Sequence, residues 1–260
     1  MLIASDRHTP ADLAAWAEYE AADAAHAPSV MLRKSVAAMA YLRLFAASGP
    51  VGYCGVSWGK DSVVVADIVR RYREAGGELV PLVWVRVEPI SNPDCEAVRD
   101  AFLGSWPEAE YHEIAVRCGR DAAGWHATGT LEDGFRQACE RFGDRRVSGV
   151  RADESGARTL SARTHGVATR LSCRPILQWS AADVYAYHHA RGLPTHPAYA
   201  MLGGGRWPRD RLRVSSLGGR RGDGIGRRQW ETEYYGDVLR RLESKPTHEA
   251  AAVCPNANGR

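Results

Sequence analysis

The residues best suited to chemistry in this sequence lie in one short turn, Ser57 to Ser62, which reads SWGKDS. The turn holds a lysine, an aspartate, a glycine and two serines. Ammonium, hydroxyl and amide groups donate hydrogen bonds to phosphate oxygens, and hard cations such as Mg²⁺ prefer carboxylate oxygen. The turn therefore indicates an anion-binding site.

The residues on either side of this turn predict a strand and a helix. Before it stand β-branched and aromatic residues typical of a buried strand, Val51, Tyr53 and Val56. After it, apolar residues recur at helical spacing, at Val64, Val65, Ile68 and Tyr72. A loop at a helix N-terminus favours anions, because the first-turn amides lack intrahelical partners and the helix dipole is positive there.

The turn matches one kind of phosphate loop and not two others. A Walker loop needs glycine where Cys54 stands and serine or threonine where Asp61 stands, and the dinucleotide fingerprint also fails. The pattern Ser57-x-Gly59-Lys60-Asp61-Ser62 resembles the PP-loop of the adenine nucleotide alpha-hydrolase superfamily, whose members cleave ATP between the alpha and beta phosphates. Trp58 replaces a glycine of that pattern, so its side chain must point away from the phosphates.

A second stretch follows the fourth predicted strand and reads Gly149-x-Arg151-x-x-Glu154-Ser155-x-x-Arg158. Gly149 allows close backbone approach, and the arginines have forked donors for phosphate or sulfate. Glu154 is expected to orient an arginine or help hold a metal. The alternative is a surface loop of exposed ion pairs. The spacing resembles the second signature of the phosphoadenylylsulfate (PAPS) reductase branch of the same superfamily.

A third stretch, from Pro175 to Tyr199, predicts a short strand and then a helix capped by Ser180 and ended by Gly192. The same branch has a similar element beside its nucleotide site. Trp179 and Val184 are expected in the core.

These patterns together predict an α/β fold. Strands and helices alternate over 49–200, which indicates βαβ units, a parallel twisted sheet and helices on both faces, as in adenine nucleotide alpha-hydrolases. An N-terminal helical segment, 1–48, precedes this core, with Thr9 as a cap and Pro28–Ser29 separating two helices. An Arg/Gly-rich loop, a helix and a tail follow over 201–260. All three parts are expected in one globular domain.

Composition narrows the class of protein. The chain has 260 residues, a net charge of +3 and six scattered cysteines with no C-x-x-C pair, so neither a zinc ribbon nor a local iron–sulfur motif is predicted. Single cysteines suit a reducing cytosol. No signal-peptide pattern follows Met1 and no apolar run has membrane-spanning length, so a cytoplasmic protein with no membrane association is expected.

The stretch from Gly203 to Arg228 is rich in arginine, with eight arginines against two aspartates. Its glycines predict a mobile loop that orders on a polyanion, with Trp207 as a stacking surface. The alternative is a solvated loop with arginines for solubility. The residues predicted to contact nucleic acid or a partner are Arg220, Arg221, Arg227 and Arg228.

The resemblance implies an ATP pyrophosphatase that uses ATP and Mg²⁺ to energise sulfur insertion. Within the PAPS reductase branch, the chain resembles the DndC and SspD type of component in DNA phosphorothioation. That implies DNA, or a DNA-bound sulfur-transfer complex including a cysteine desulfurase, as partner; a homo-oligomer stays open. The alternatives are a PAPS reductase, a sulfate adenylyltransferase small subunit and a non-enzymatic nucleotide-sensing module. Reduction by a thiol is disfavoured because Cys254 lacks the Glu-Cys-Gly-x-His motif of the reductases.

The resemblance also assigns roles to residues. Lys60 is expected to neutralise the departing pyrophosphate, Asp61 to hold Mg²⁺, and Arg151 and Arg158 to contact the alpha phosphate or the acceptor. Strand-end backbone near Val85 is expected to hold adenine and ribose. The predicted ATP-binding residues are Ser57, Trp58, Gly59, Lys60, Asp61, Ser62, Val85, Gly149 and Glu154.

Overall fold

A parallel sheet of five strands forms the centre of the protein, in the order β3-β2-β1-β6-β7. The computed structural model describes residues 1–121, 124–126, 130–214, 216–218 and 226–244. The strands of this sheet are β1 (Tyr53–Val56), β2 (Leu82–Glu88), β3 (Tyr111–Arg117), β6 (Arg146–Ser148) and β7 (Ser172–Cys173). A separate antiparallel hairpin pairs β4 (Gly119–Asp121) with β5 (Gly124–His126).

Helices cover both faces of the sheet, so the predicted α/β class is confirmed. They are α1 (Pro10–Ser29), α2 (Ser35–Ala47), α3 (Lys60–Glu74), α4 (Cys95–Gly104), α5 (Thr130–Phe142), α6 (Gly156–His165), α7 (Ala181–Arg191) and α8 (Arg227–Glu243). Helix α3 packs against β1 and β6, and α5 packs against β2 and β3. Within the described ranges, none of these helices is long and apolar enough to cross a membrane.

The strand connections change direction beside β1. The chain passes from β1 to β2 and β3 on one side, and then crosses to β6 and β7 on the other. Right-handed crossovers therefore place α3 and α5 on opposite faces of the sheet. The strands β1 and β6 are neighbours, but the chain continues from β1 towards one edge of the sheet and from β6 towards the other. Ligands of open parallel sheets bind at such a point.

The N-terminal helices differ from the prediction. Thr9 caps α1 as expected, since its hydroxyl oxygen accepts a hydrogen bond from the Asp12 amide at 3.1 Å. The predicted break at Pro28–Ser29 is wrong, because Pro28 lies inside α1 and a π turn, Val30–Lys34, joins α1 directly to α2. Proline removes one helical hydrogen bond, and the wider turn just after it relieves the local misfit. Burial of the side chains that face the core keeps the helix continuous.

Two smaller predictions in the later part of the chain are also corrected. Turns occupy 175–178, and the short strand lies earlier, at β7. Ser180 caps α7 and Gly192 ends it in the left-handed region, as predicted. Trp207 is wrongly predicted as a stacking surface: it is buried against Tyr234, and its ring is covered by the Arg206 guanidinium.

Buried ion pairs and hydrogen bonds attach the C-terminal region to the N-terminal helix. Asp12 accepts hydrogen bonds from the Leu202 and Gly204 amides and from the Tyr234 hydroxyl, at 2.9 to 3.1 Å. Asp23 pairs with Arg209, with Nη1 and Oδ2 2.7 Å apart and both side chains 6% exposed. One arginine of the supposed mobile loop is therefore a structural residue.

We expect Asp23→Ala to lower the free energy of unfolding by about 3 kcal/mol, because it leaves the Arg209 charge buried without a partner. Urea denaturation followed by circular dichroism measures this change. The matched control is Asp133→Ala, which removes an exposed partner of Arg136 on α5 and should cost less than about 1 kcal/mol. Equal losses in the two variants would contradict the structural role of the buried pair.

Candidate nucleotide site

The predicted phosphate loop joins β1 to α3 at the point where the strand connections diverge. Gly59 is the N-cap position and Lys60 the first helical residue. The Ser62 hydroxyl donates to the Gly59 carbonyl at 3.0 Å and accepts from the Ser57 amide at 3.1 Å. Ser62 therefore closes the loop on itself, which is a different task from the predicted donation to phosphate. The Ser57 side chain is exposed.

Trp58 occupies an unusual backbone position in this loop. Its φ is +59°, in the left-handed region that favours glycine, where the usual pattern has glycine. Its side chain is fully buried between Phe102 and Tyr111, with ring centroids 5.8 and 5.6 Å away. The indole thus points away from the helix N-terminus, as predicted, and its packing offsets the backbone strain.

The third predicted stretch fixes the start of α3. The Lys60 amide donates to the Tyr199 hydroxyl at 3.1 Å, so Tyr199 takes the place of an N-cap side chain. The Lys60 carbonyl accepts from Nε2 of His188, 2.8 Å away, and Thr195 Oγ1 lies 3.1 Å from the other ring nitrogen. Burial lowers the pKa of His188 to about 4, so the ring is neutral at pH 7.

The two predicted signatures meet at Asp61. Its Oδ2 accepts from Lys60 Nζ at 3.0 Å, and its Oδ1 accepts from Arg151 Nε at 2.5 Å. Burial by itself would raise the pKa of Asp61, but the charges of Lys60 and Arg151 outweigh it and hold the pKa below its ordinary value. Burial likewise opposes the charge of Lys60, and Tyr199 and Asp61 outweigh it, so the pKa of Lys60 is raised. All three groups are therefore charged at neutral pH.

Gly149 makes this meeting possible. A Cβ at Gly149 would lie 2.8 Å from the main-chain carbon and oxygen of Asp61 and 3.0 Å from the Ser62 nitrogen. Any other residue would push the loop after β6 away from α3. The close backbone approach predicted for Gly149 is confirmed, and its contact is α3 itself.

The rest of the second signature forms its own hydrogen-bonded turn. Glu154 accepts from the Arg151 amide at 3.1 Å and pairs with the Arg158 guanidinium. Ser155 caps α6 by accepting from the Arg158 amide at 3.3 Å. Glu154 thus orients an arginine, one of its two predicted roles. Arg158, with 41% of its side chain exposed, is at the rim of the site.

Other predicted site residues lie elsewhere. Val85 is inside β2, which continues to Glu88, and its side chain contacts α5 at Gly134, so it is not a strand-end residue. Arg227 lies at the start of α8 and pairs with Glu231, with Nε and Oε1 2.6 Å apart. Arg228 is exposed beside it. Arg220 and Arg221 lie outside the described residues, as does Cys254.

Some residues at the site were missed by the sequence reasoning. Val214 covers the loop, because a Cβ at Gly59 would lie 2.9 Å from its Cγ2. Arg213, next to it, donates to the Glu154 carbonyl at 3.2 Å and forms no ion pair with the described part of the chain. Asp153 pairs with Arg151. Only Tyr199 had a sequence signal, since it ends the third stretch.

The arrangement can bind a polyanion at the N-terminus of α3. The amides of Asp61 and Ser62 have no acceptor among the described residues, whereas those of Ser57 and Lys60 already have one. No group of three or more His, Cys, Asp or Glu side chains in these ranges is placed to hold a metal ion by itself. A cavity of about 270 Å³ lies apart from the loop, beside Trp16, Asp23 and His188.

The comparisons with known proteins identify no family for this chain. No protein-family model matches the sequence, and no curated protein matches it. Among similar solved structures is the U34-tRNA thiolase NcsA from Methanococcus maripaludis with its [4Fe-4S] cluster, with 14% sequence identity and a TM-score of 0.43. The match covers 78% of this chain and 77% of that one. Similarity at this level does not indicate a reaction or a substrate.

We expect the free energy of unfolding to fall as the pH is lowered from 6.5 to 4. The unfolded state protonates its histidines in this range, whereas native His188, with a pKa of about 4, and His196, with a pKa of about 3, stay neutral. Stability is therefore lost as the pH falls, by up to about 3 kcal/mol for His188. Asp183, with a pKa of about 2, adds its own loss only below this range.

His188→Gln keeps an N–H donor for the Lys60 carbonyl but cannot titrate, so its stability should fall less over the same range. Urea denaturation at several pH values measures both slopes. His165→Gln, at an exposed position of α6, is the control and should behave as wild type. Identical slopes for wild type and His188→Gln would contradict the assignment.

Proposed function

We propose that this protein is an ATP pyrophosphatase that cleaves ATP to AMP and pyrophosphate and so energises sulfur incorporation. The observation that supports this most is the meeting of Lys60, Asp61 and Arg151 at the start of α3, where the strand connections diverge. The PP-loop resemblance supplies the reaction, and the positions of these residues are compatible with it.

In the proposed mechanism the triphosphate lies across the N-terminus of α3. The free amides of Asp61 and Ser62 donate to its oxygens, and the helix dipole favours its charge. Lys60 neutralises the charge that develops on the departing pyrophosphate. Arg151 donates to Asp61 through its Nε, and in this mechanism its guanidinium contacts the alpha phosphate or the acceptor. Arg158 and Arg213 line the rim.

Asp61 is the residue that would hold Mg²⁺. A carboxylate has about four lone-pair positions, and Lys60 and Arg151 use two of them, so room for a cation remains. Magnesium is commonly bound by one or two carboxylates together with substrate phosphates and water, which agrees with the single carboxylate of this loop. When bound, Mg²⁺ would supply charge neutralisation for the phosphates.

We propose that the sulfur acceptor is DNA, which the protein contacts directly or through a DNA-bound sulfur-transfer complex. The support is the charge of the region from Gly203 to Arg228, which reaches the rim of the site through Val214 and Arg213. Not all of its arginines face outward, because Arg209 pairs with Asp23 and Arg227 with Glu231. Arg213, at the rim, is one candidate for phosphate contact, and Arg220, Arg221 and Arg228 are the candidates predicted from the sequence.

The reaction is tested by incubating the protein with ATP and Mg²⁺ and separating the products by chromatography. We expect AMP and pyrophosphate, and a loss of turnover on the order of a hundredfold in Asp61→Asn, which keeps the shape but removes the charge. Asp133→Asn, at an exposed site on α5, is the matched control and should turn over as wild type. ADP and phosphate as products, or full activity in Asp61→Asn, would refute the proposal.

The acceptor is tested with Arg220→Ala/Arg221→Ala/Arg228→Ala, which spares Arg227 because that residue holds Glu231. We expect the affinity for a DNA duplex to fall and its dependence on salt to become shallower, since fewer phosphates are neutralised. ATP cleavage should stay near wild type. The same titration with transfer RNA distinguishes the two nucleic acids. Sulfite release that stops in Cys254→Ser would instead favour a reductase.

A further inference from the structure

The outer face of α2 is apolar, although α2 already buries an apolar face. Ala38, Leu42 and Phe45 are buried, and α2 packs on α3 and β7. On the other side lies an apolar ridge at four-residue spacing, formed by Leu32, Val36, Ala40 and Leu44. Leu32 is 73% exposed, Val36 59% and Leu44 71%. A helix that is apolar on all sides is normally buried on all sides.

The ridge is distinct from the scattered apolar residues of an ordinary surface. Eight large hydrophobic side chains are exposed in the described part of the chain, and three of them belong to this ridge. Residues four apart on a helix lie one above the other, so the ridge is a continuous row. Continuous exposed apolar surface of this kind marks an interaction site.

The charges beside the ridge have one sign. Arg33 and Arg43 are exposed on either side of it, and the sequence contains no aspartate or glutamate from position 24 to position 60. The nearby Lys34 is already paired with Asp183. The ridge therefore presents apolar side chains between two guanidinium groups that have no acidic partner on their own helix.

We propose that this ridge docks an amphipathic helix of a partner protein whose apolar row is flanked by acidic residues. Rows at four-residue spacing on two helices interdigitate, which is the commonest way in which helices pack. Arg33 and Arg43 then pair with carboxylates at the two ends of the row.

The two arginines beside the ridge disfavour two other binding partners, a second copy of the chain and an anionic membrane. In a second copy of the chain, docked antiparallel about the middle of the ridge, Arg33 would face Arg43 of the other copy with no acid between them. An anionic membrane is typically recognised by about four to eight clustered basic residues, and the ridge has two. The proposal does not depend on the ATP reaction, because the ridge shares no residue with the candidate nucleotide site.

The probe is a fluorescein-labelled synthetic helix with leucines at four-residue spacing and glutamates on both flanks; a second probe has lysines in place of the glutamates. Fluorescence anisotropy measures the binding of each. We expect the wild type to bind the glutamate probe saturably and the lysine probe much more weakly. Leu32→Glu/Leu44→Glu should weaken binding of the glutamate probe by about tenfold or more, since it removes two exposed leucines that the probe would cover and adds like charge.

Two further variants make the test specific. Leu13→Glu changes an exposed leucine of α1 that lies about 28 Å from Leu32 along the helix, at 1.5 Å per residue, and should bind as wild type. Arg33→Glu/Arg43→Glu should reverse the preference and bind the lysine probe. All substituted positions are exposed, and matching thermal midpoints confirm that the variants fold.

Several outcomes would overturn the proposal. One is the absence of saturable binding to the glutamate probe, and another is equal binding by Leu32→Glu/Leu44→Glu and wild type. Binding to vesicles of phosphatidylcholine and phosphatidylglycerol in place of the probe would assign the ridge to a membrane. A dimer in light scattering that Leu32→Glu/Leu44→Glu converts to a monomer would assign it to a second copy.

Discussion

Two buried cations share one carboxylate at the centre of this molecule, and the candidate site depends on that ion cluster. The side chains of Lys60 and Arg151 are 5% and 3% exposed, and Asp61 pairs with both. An unpaired charge in such a place would cost several kcal/mol, so Asp61 fixes the loops after β1 and β6 against each other. Arg151 also pairs with the exposed Asp153, so two cations and two carboxylates balance in this cluster.

The ion cluster is positioned by side chains from outside the phosphate loop. The Tyr199 hydroxyl accepts from the Lys60 amide and His188 donates to the Lys60 carbonyl, so both main-chain polar groups of the first helical residue are fixed from the third stretch. Trp58 anchors the loop from the other direction by packing into the core. A loop held in this way can keep its amides oriented towards a ligand without rearrangement, which is the condition for effective electrostatic stabilisation.

The arginines of the C-terminal region have different roles, which their number in the sequence does not reveal. Arg209 lies between aromatic rings and pairs with Asp23, so it joins the region to α1. Arg227 and the Gly218 amide both bind Glu231, so one carboxylate on α8 contacts both residues. Arg213 is different, because it reaches the rim of the site and donates only to a main-chain carbonyl among the described residues. A positive local charge in a sequence is thus only partly available to a ligand.

The sequence alone determined the α/β class, the turn between β1 and α3, the caps at Thr9 and Ser180, and the direction of the Trp58 side chain away from the helix N-terminus, because these follow from local pattern and steric constraint. Tertiary structure decided the rest. The continuity of α1 and α2 through Pro28 depends on core packing, which outweighs one lost hydrogen bond. The roles of Tyr199, His188 and Val214 depend on contacts between residues more than a hundred positions apart, as does the pairing of Asp23 with Arg209. Periodicity and spacing describe neighbours along the chain, whereas only the folded chain determines which distant residue satisfies a buried amide or charge.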